Sequence, residues 1–149
     1  MIQAYRAAAL EPVQSFNLQG SMPTGLVYDQ QLDRLYVAIR NAVLELDAKT
    51  GAELGRVAAP TGTNRLWLDP KSRTLLAVSY GAIAVMHAGD RLAAVDELPV
   101  DVKGHAFAFD AKTGFLYLPG GRDGRSKLLI LKQSSGGQPQ TESHATKKK

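Results

Sequence analysis

Short apolar runs separated by polar turns recur along this chain at a constant step. Leu26-Val27-Tyr28-Asp29, Leu66-Trp67-Leu68-Asp69 and Ala106-Phe107-Ala108-Phe109-Asp110 are one run met three times, with aspartates 40 and 41 residues apart. Each aspartate opens a polar turn, and a second apolar run follows at 35–39, 75–78 and 115–118. Asp bonds its own following backbone in such turns and Gly, as at Gly114, takes a left-handed corner, so each pair of runs predicts a β-hairpin. A third run lies at 42–46, 83–86 and 128–131, and a weaker, more polar fourth at 53–57 and 93–98. Four strands per unit of this length, with apolar inner strands and a polar outer one, is the pattern of a propeller blade. A meander or a sandwich requires no constant step.

The fold class expected is therefore all-β: a partial β-propeller of about three four-stranded antiparallel blades with 40–41-residue repeats. Residues 2–18 read as the third and fourth strands of a blade whose first two are missing. Residues 22–60 and 61–101 are whole blades, and 102–132 is a blade with no fourth strand. Residues 133–149 are Gln, Ser, Gly, Thr and Lys with almost no apolar content, which predicts a disordered tail.

Composition narrows the function classes. With 44% hydrophobic and 21% charged residues the chain is of globular type. Its formal charge of +4 includes Lys147, Lys148 and Lys149, which leaves +1 for the rest and argues against nucleic acid as a partner. The absence of cysteine excludes disulfides, thiolate metal sites and cysteine nucleophiles. No apolar stretch approaches the length of a membrane span, and residues 1–6 do not read as an export signal. Compartment is left open.

Pro23-Thr24-Gly25, Leu35-Tyr36-Val37-Ala38, Val43-Leu44-Glu45-Leu46-Asp47 and Lys49-Thr50-Gly51 resemble the YVTN-type β-propeller repeat, a bacterial and archaeal family of WD40-like, quinoprotein-like architecture. The resemblance covers nearly all of residues 2–132, and 104–131 is similar to the C-terminal blade of those proteins. It implies a seven-bladed, exported, periplasmic or secreted protein whose last blade borrows a strand from the chain's N-terminal end. The signature speaks for architecture and names no activity.

About three blades do not close a ring, because propellers have roughly 4–8. Two expectations follow: this is the C-terminal part of a longer propeller, or two copies join as a strand-exchanged dimer with six blades. The partner expected is accordingly a protein, a second copy included.

Candidate chemistry belongs on loops that a rigid scaffold holds around the channel mouth. Equivalent positions before the repeat aspartates are Thr24, Asn64 and His105. Loops between second and third strands add Arg40, Asn41, Tyr80, Arg122, Asp123 and Arg125, a set suited to a polar or anionic ligand. No catalytic group is assembled: Ser79 and Ser126 lack a nucleophile context. No metal ligand set is found, since His87 lies towards the opposite face and His144 in the tail, and no cofactor is expected. The Gly120-Gly121-Arg122-Asp123-Gly124-Arg125 loop lacks a following helix and reads as a long flexible turn, not a phosphate loop. Asp29, Asp69 and Asp110 are assigned to turn chemistry and Trp67 to core packing. The function expected is a non-catalytic binding or scaffold module, with a lactonase-like or redox-enzyme segment as the alternative.

Overall fold

The computed structural model describes residues 1–104 and 106–132, together with the backbone of 140–141. The strands are β1 (Ile2–Arg6), β2 (Glu11–Phe16), β3 (Gly25–Asp29), β4 (Arg34–Ile39), β5 (Ala42–Asp47), β6 (Glu53–Ala58), β7 (Arg65–Asp69), β8 (Thr74–Ser79), β9 (Ala82–Ala88), β10 (Leu92–Pro99), β11 (Ala108–Asp110), β12 (Phe115–Arg122), β13 (Arg125–Lys132) and β14 (Gln140–Thr141). They form three four-stranded antiparallel sheets in chain order, β3 to β6 (blade I), β7 to β10 (blade II) and β11 to β14 (blade III). A two-stranded half-blade, β1–β2, precedes them. The chain is an all-β partial propeller.

The apolar pattern explains the stacking. Tyr36, Val37, Ala38 and Ile39 on β4 are all buried, because successive side chains point to opposite sheet faces and a neighbouring blade covers each. Three cores result. One lies between the half-blade and blade I (Ile2, Leu18, Val37, Leu44), one between blades I and II (Tyr36, Val43, Leu75, Met86), and one between blades II and III (Val78, Ile83, Leu116, Leu118). The outer strand β6 alternates exposed and half-buried residues, as an edge that meets water does.

Two details differ from the sequence reading. The 120–125 segment is a tight turn: β12 and β13 pair through Arg122 and Arg125, and Asp123 and Gly124 have φ of 52° and 69°. An Asp-Gly pair with two positive φ angles matches the right-handed twist of its strands, so the hairpin closes on two residues. The fourth place of blade III, where the sequence offered no strand, holds β14, whose Thr141 pairs with Leu131. The rest of 133–149 lies outside the described residues.

Candidate functional site

The loops between second and third strands and the crossings from one blade to the next share one face, held together by backbone hydrogen bonds. The Ala59 N–H donates to the Asn41 carbonyl (3.0 Å), the Gly62 N–H to Arg40 (3.1 Å) and the Val100 N–H to Gly81 (2.9 Å). Lys103 and Gly121 exchange both of their backbone bonds at 3.0 Å. Side chains would block that approach: a Cβ on Gly104 would sit 2.1 Å from the Pro119 carbonyl oxygen. Glycine is required there by sheer closeness.

Thr24 and Asn64 occupy equivalent places. The Thr24 N–H donates to the Ala38 carbonyl and the Asn64 N–H to Val78, each at 3.0 Å. The Thr24 hydroxyl donates to the Thr63 carbonyl at 2.6 Å, across to the crossing that leads into blade II. The Thr24 side chain is thereby tied to the crossing, and Asn64 is tied to β8 through its backbone. Arg40, Tyr80, Arg122, Asp123 and Arg125 stand exposed around them. His105 lies outside the described residues.

The structure brings together only part of the expected set. Arg122 pairs with Asp101 and with Asp123, the latter at 3.5 Å. With Lys103, Gly121 and Gly124 these residues line an open cleft of about 540 Å³. Asp101 and Lys103 escaped the sequence reading because they sit in a crossing with no apolar pattern. The available signal was their position just ahead of the repeat place held by Thr24 and Asn64. Two cations beside two carboxylates can bind mixed-charge groups, and no nucleophile with its base stands among the described residues of the cleft. Those residues also include no group of three His, Asp or Glu side chains placed to hold a metal.

A second cluster lies on the opposite face, and of it only the turn role of Asp29 was legible in the sequence. Asp29, 1% exposed, accepts both terminal nitrogens of Arg73, one at 2.9 Å, and the Gln31 N–H at 3.0 Å. Those bonds, Arg73's above all, hold its carboxyl below the ordinary carboxylate range. Glu45, equally buried, pairs with Arg34 and accepts the Leu92 N–H at 3.1 Å. Arg34 reaches on to the Gly89 and Asp90 carbonyls, at 3.2 and 2.8 Å. Burial, then the charges of Glu45 and Asp29, push the Tyr36 hydroxyl up. The cluster ties blade I to blade II. The signal for it was Glu45, whose counterparts on β9 and β13 are Val85 and Ile130. Asp69 and Asp110 keep the simpler role: they accept from the backbone N–H of Lys71 (3.1 Å) and Lys112 (2.9 Å), inside their own turns.

No protein-family model matches the sequence, and no curated protein matches it. Solved structures do. A putative 6-phosphogluconolactonase from Bacteroides uniformis matches with a TM-score of 0.70 at 10% identity, over 93% of this chain and 49% of that one. The β-propeller domain of Myceliophteria thermophila Swd1 matches at 0.64 and 18% identity, over 80% and 43%. A chain of a nidogen/laminin complex matches at 0.63 and 14% identity, over 88% and 51%. The chain thus spans about half, or less, of the length of these structures. At such identities the likeness is one of fold, and the fold is that of a β-propeller segment.

Proposed function

We propose that this chain is a non-catalytic propeller segment that binds a protein partner on the channel face. The observation that carries the reading is the exposure of that face: the Thr24 hydroxyl is spent on the Thr63 carbonyl, while the side chains of Arg40, Tyr80, Arg122, Asp123 and Arg125 are presented to solvent. Tyrosine and arginine are the residues enriched at protein interfaces and their hot spots. The nidogen/laminin neighbour belongs to an assembly of two proteins, which accords with this reading. The YVTN-type repeat remains the kinship proposed, on the residues quoted for it above.

The second reading, a lactonase-like enzyme segment, is favoured by the Bacteroides uniformis neighbour. Hydrolysis of 6-phosphogluconolactone by the purified chain separates the two, and the spontaneous rate is the expected result. Turnover above it that falls in Arg122→Ala would replace the binding reading by the enzymatic one. In parallel, a photo-crosslinking side chain at position 80 should trap a discrete protein that one at position 54, on β6, does not.

A further inference from the structure

Met22 stands two places ahead of Thr24, as Gly62 does ahead of Asn64 and Lys103 ahead of His105, and the three are 40 and 41 residues apart. They mark one place on the channel face, in the crossing that enters each blade. Gly62 has a φ of 82°, and Met22 takes the same left-handed corner at 56°. In that corner a Cβ crowds the following carbonyl oxygen, and Pro23 drives the residue before it towards extended backbone. No atom lies within 4 Å of the point a Cβ would take on Gly62, so the backbone corner, and not crowding by neighbours, suits this place to glycine. Met22 keeps a large apolar side chain there against that preference.

The side chain is 63% exposed and closes no core. Its exposure belongs to the place itself, since Gly62 and Lys103 are exposed too, each behind a whole blade. Strain held at such a residue points to a contact made outside the chain. Ser21 accepts the Arg40 N–H at 3.2 Å and Arg40 accepts the Gly62 N–H at 3.1 Å, which sets Arg40 between two crossings. Gly81, next to the half-exposed Tyr80, accepts the Val100 N–H and carries the surface on towards Lys103. Two apolar and two cationic side chains therefore share one arc. Asp101 and Asp123 both pair with Arg122, and among the described residues no carboxylate pairs with Arg40 or Lys103. On the opposite face, by contrast, Arg34, Lys49 and Arg73 each have a carboxylate.

We infer that the partner presents an acidic peptide segment with one large apolar side chain, an inference that rests on the protein-binding reading of this face. Its carboxylates meet Arg40 and Lys103, and its apolar side chain lies against Met22 and Tyr80. The flexible, polarizable thioether adapts to such a side chain, and the uncommitted cations select its charge. A nucleic acid is a poorer match, because Asp101 and Asp123 would repel a continuous run of phosphates at the Lys103 end of the arc.

The probe is a rhodamine-labelled peptide with a central leucine flanked on both sides by glutamates, titrated with the full chain at low ionic strength and followed by anisotropy. Saturable binding is expected, about tenfold or more tighter than for the same peptide with lysines in place of glutamates, and weakening as salt is raised. Arg40→Gln with Lys103→Gln should weaken it about tenfold, whereas Lys71→Gln, on the opposite face, should bind as the parent does. Met22→Gly should weaken binding about fivefold and yet melt no lower than the parent, since the strain leaves with the side chain. Lys147→Gln with Lys148→Gln and Lys149→Gln should keep the binding. No saturable binding, equal binding of the lysine peptide, tighter binding of an oligothymidylate, loss in the Lys71 or tail variants, or indifference to the Met22 and Arg40/Lys103 changes overturns the inference. A protein trapped from position 80 through a segment without carboxylates overturns it too, and leaves the protein-binding reading standing; trapping no protein at all removes both.

Discussion

Replacing Arg73 tests whether the blades are tied by buried charge. Asp29 is 1% exposed and the Arg73 side chain 16%, so removing the guanidinium leaves a carboxylate in the interior with backbone N–H donors from Gln31 and Leu32 in place of a counter-charge. Breaking such a pair costs about 3–5 kcal/mol, and the partial exposure of Arg73 argues for the lower end, about 3 kcal/mol, in Arg73→Ala. Arg73 also sits at φ 60°, in the left-handed region that costs a non-glycine residue about 1 kcal/mol. Arg73→Gly relieves that strain and should cost only about 2 kcal/mol. Asp29→Asn should cost about 2 kcal/mol, and Asp29→Asn with Arg73→Gly about the same again instead of twice as much. In urea, with a slope of about 1.5 kcal/mol per molar, Arg73→Ala should lower the midpoint by about 2 M. Equal midpoints for the alanine and glycine variants would refute the backbone strain, and single changes that add to within about 0.5 kcal/mol would refute the coupled pair.

The same pair sets a pH dependence. Asp29 is held below its unfolded value, so its contribution is full above about pH 4 and is lost as pH falls through the folded value. The stability gap between the parent and Arg73→Gly should stay constant from pH 7 to 5 in urea titrations and narrow below 4; widening there would contradict the assignment. In Gly51→Ala the new Cβ would stand 2.2 Å from the Phe16 ring at a φ of 71°, so the half-blade should come away from blade I. Limited trypsin digestion at Arg6 should then quicken while the circular dichroism of the remaining blades is kept. Phe109→Ala uncovers Trp67, the one tryptophan, and should red-shift its emission and cost about 3 kcal/mol; an unmoved emission maximum would argue against the contact.

The radial stacking was legible in the sequence because its cause is local. An aspartate that caps its own turn and a two-residue alternation are written within a few positions, and Asp69 and Asp110 do in the structure what their spacing implied. Asp29 has the same sequence context and a second role, since the partner that buries it stands 44 residues away. Glu45 was likewise read as part of an apolar run, although Val85 and Ile130 at its counterparts mark it as out of place. On the channel face, polarity alone could not separate Thr24 from Arg122. One hydroxyl is spent on a neighbouring carbonyl and one guanidinium stands in an open cleft, a distinction made by chain crossings that have no period. The turn at Asp123–Gly124 was readable from its dipeptide, and the neighbouring glycines, of which Gly120 serves close approach to Lys103, hid it.

Blades of near-identical shape raise a question of order: any wall could, by shape alone, stack on any other. The Asp29–Arg73 tie answers it for one seam. At the next seam the corresponding places hold Asp69 and Gly114, with no cation to offer. A chain that stacked blade III where blade II belongs would bury Asp29 without its partner, a far larger penalty than misfitted apolar packing. The charge buried between blades I and II therefore works as an address, one that forbids the wrong neighbour more than it strengthens the right one.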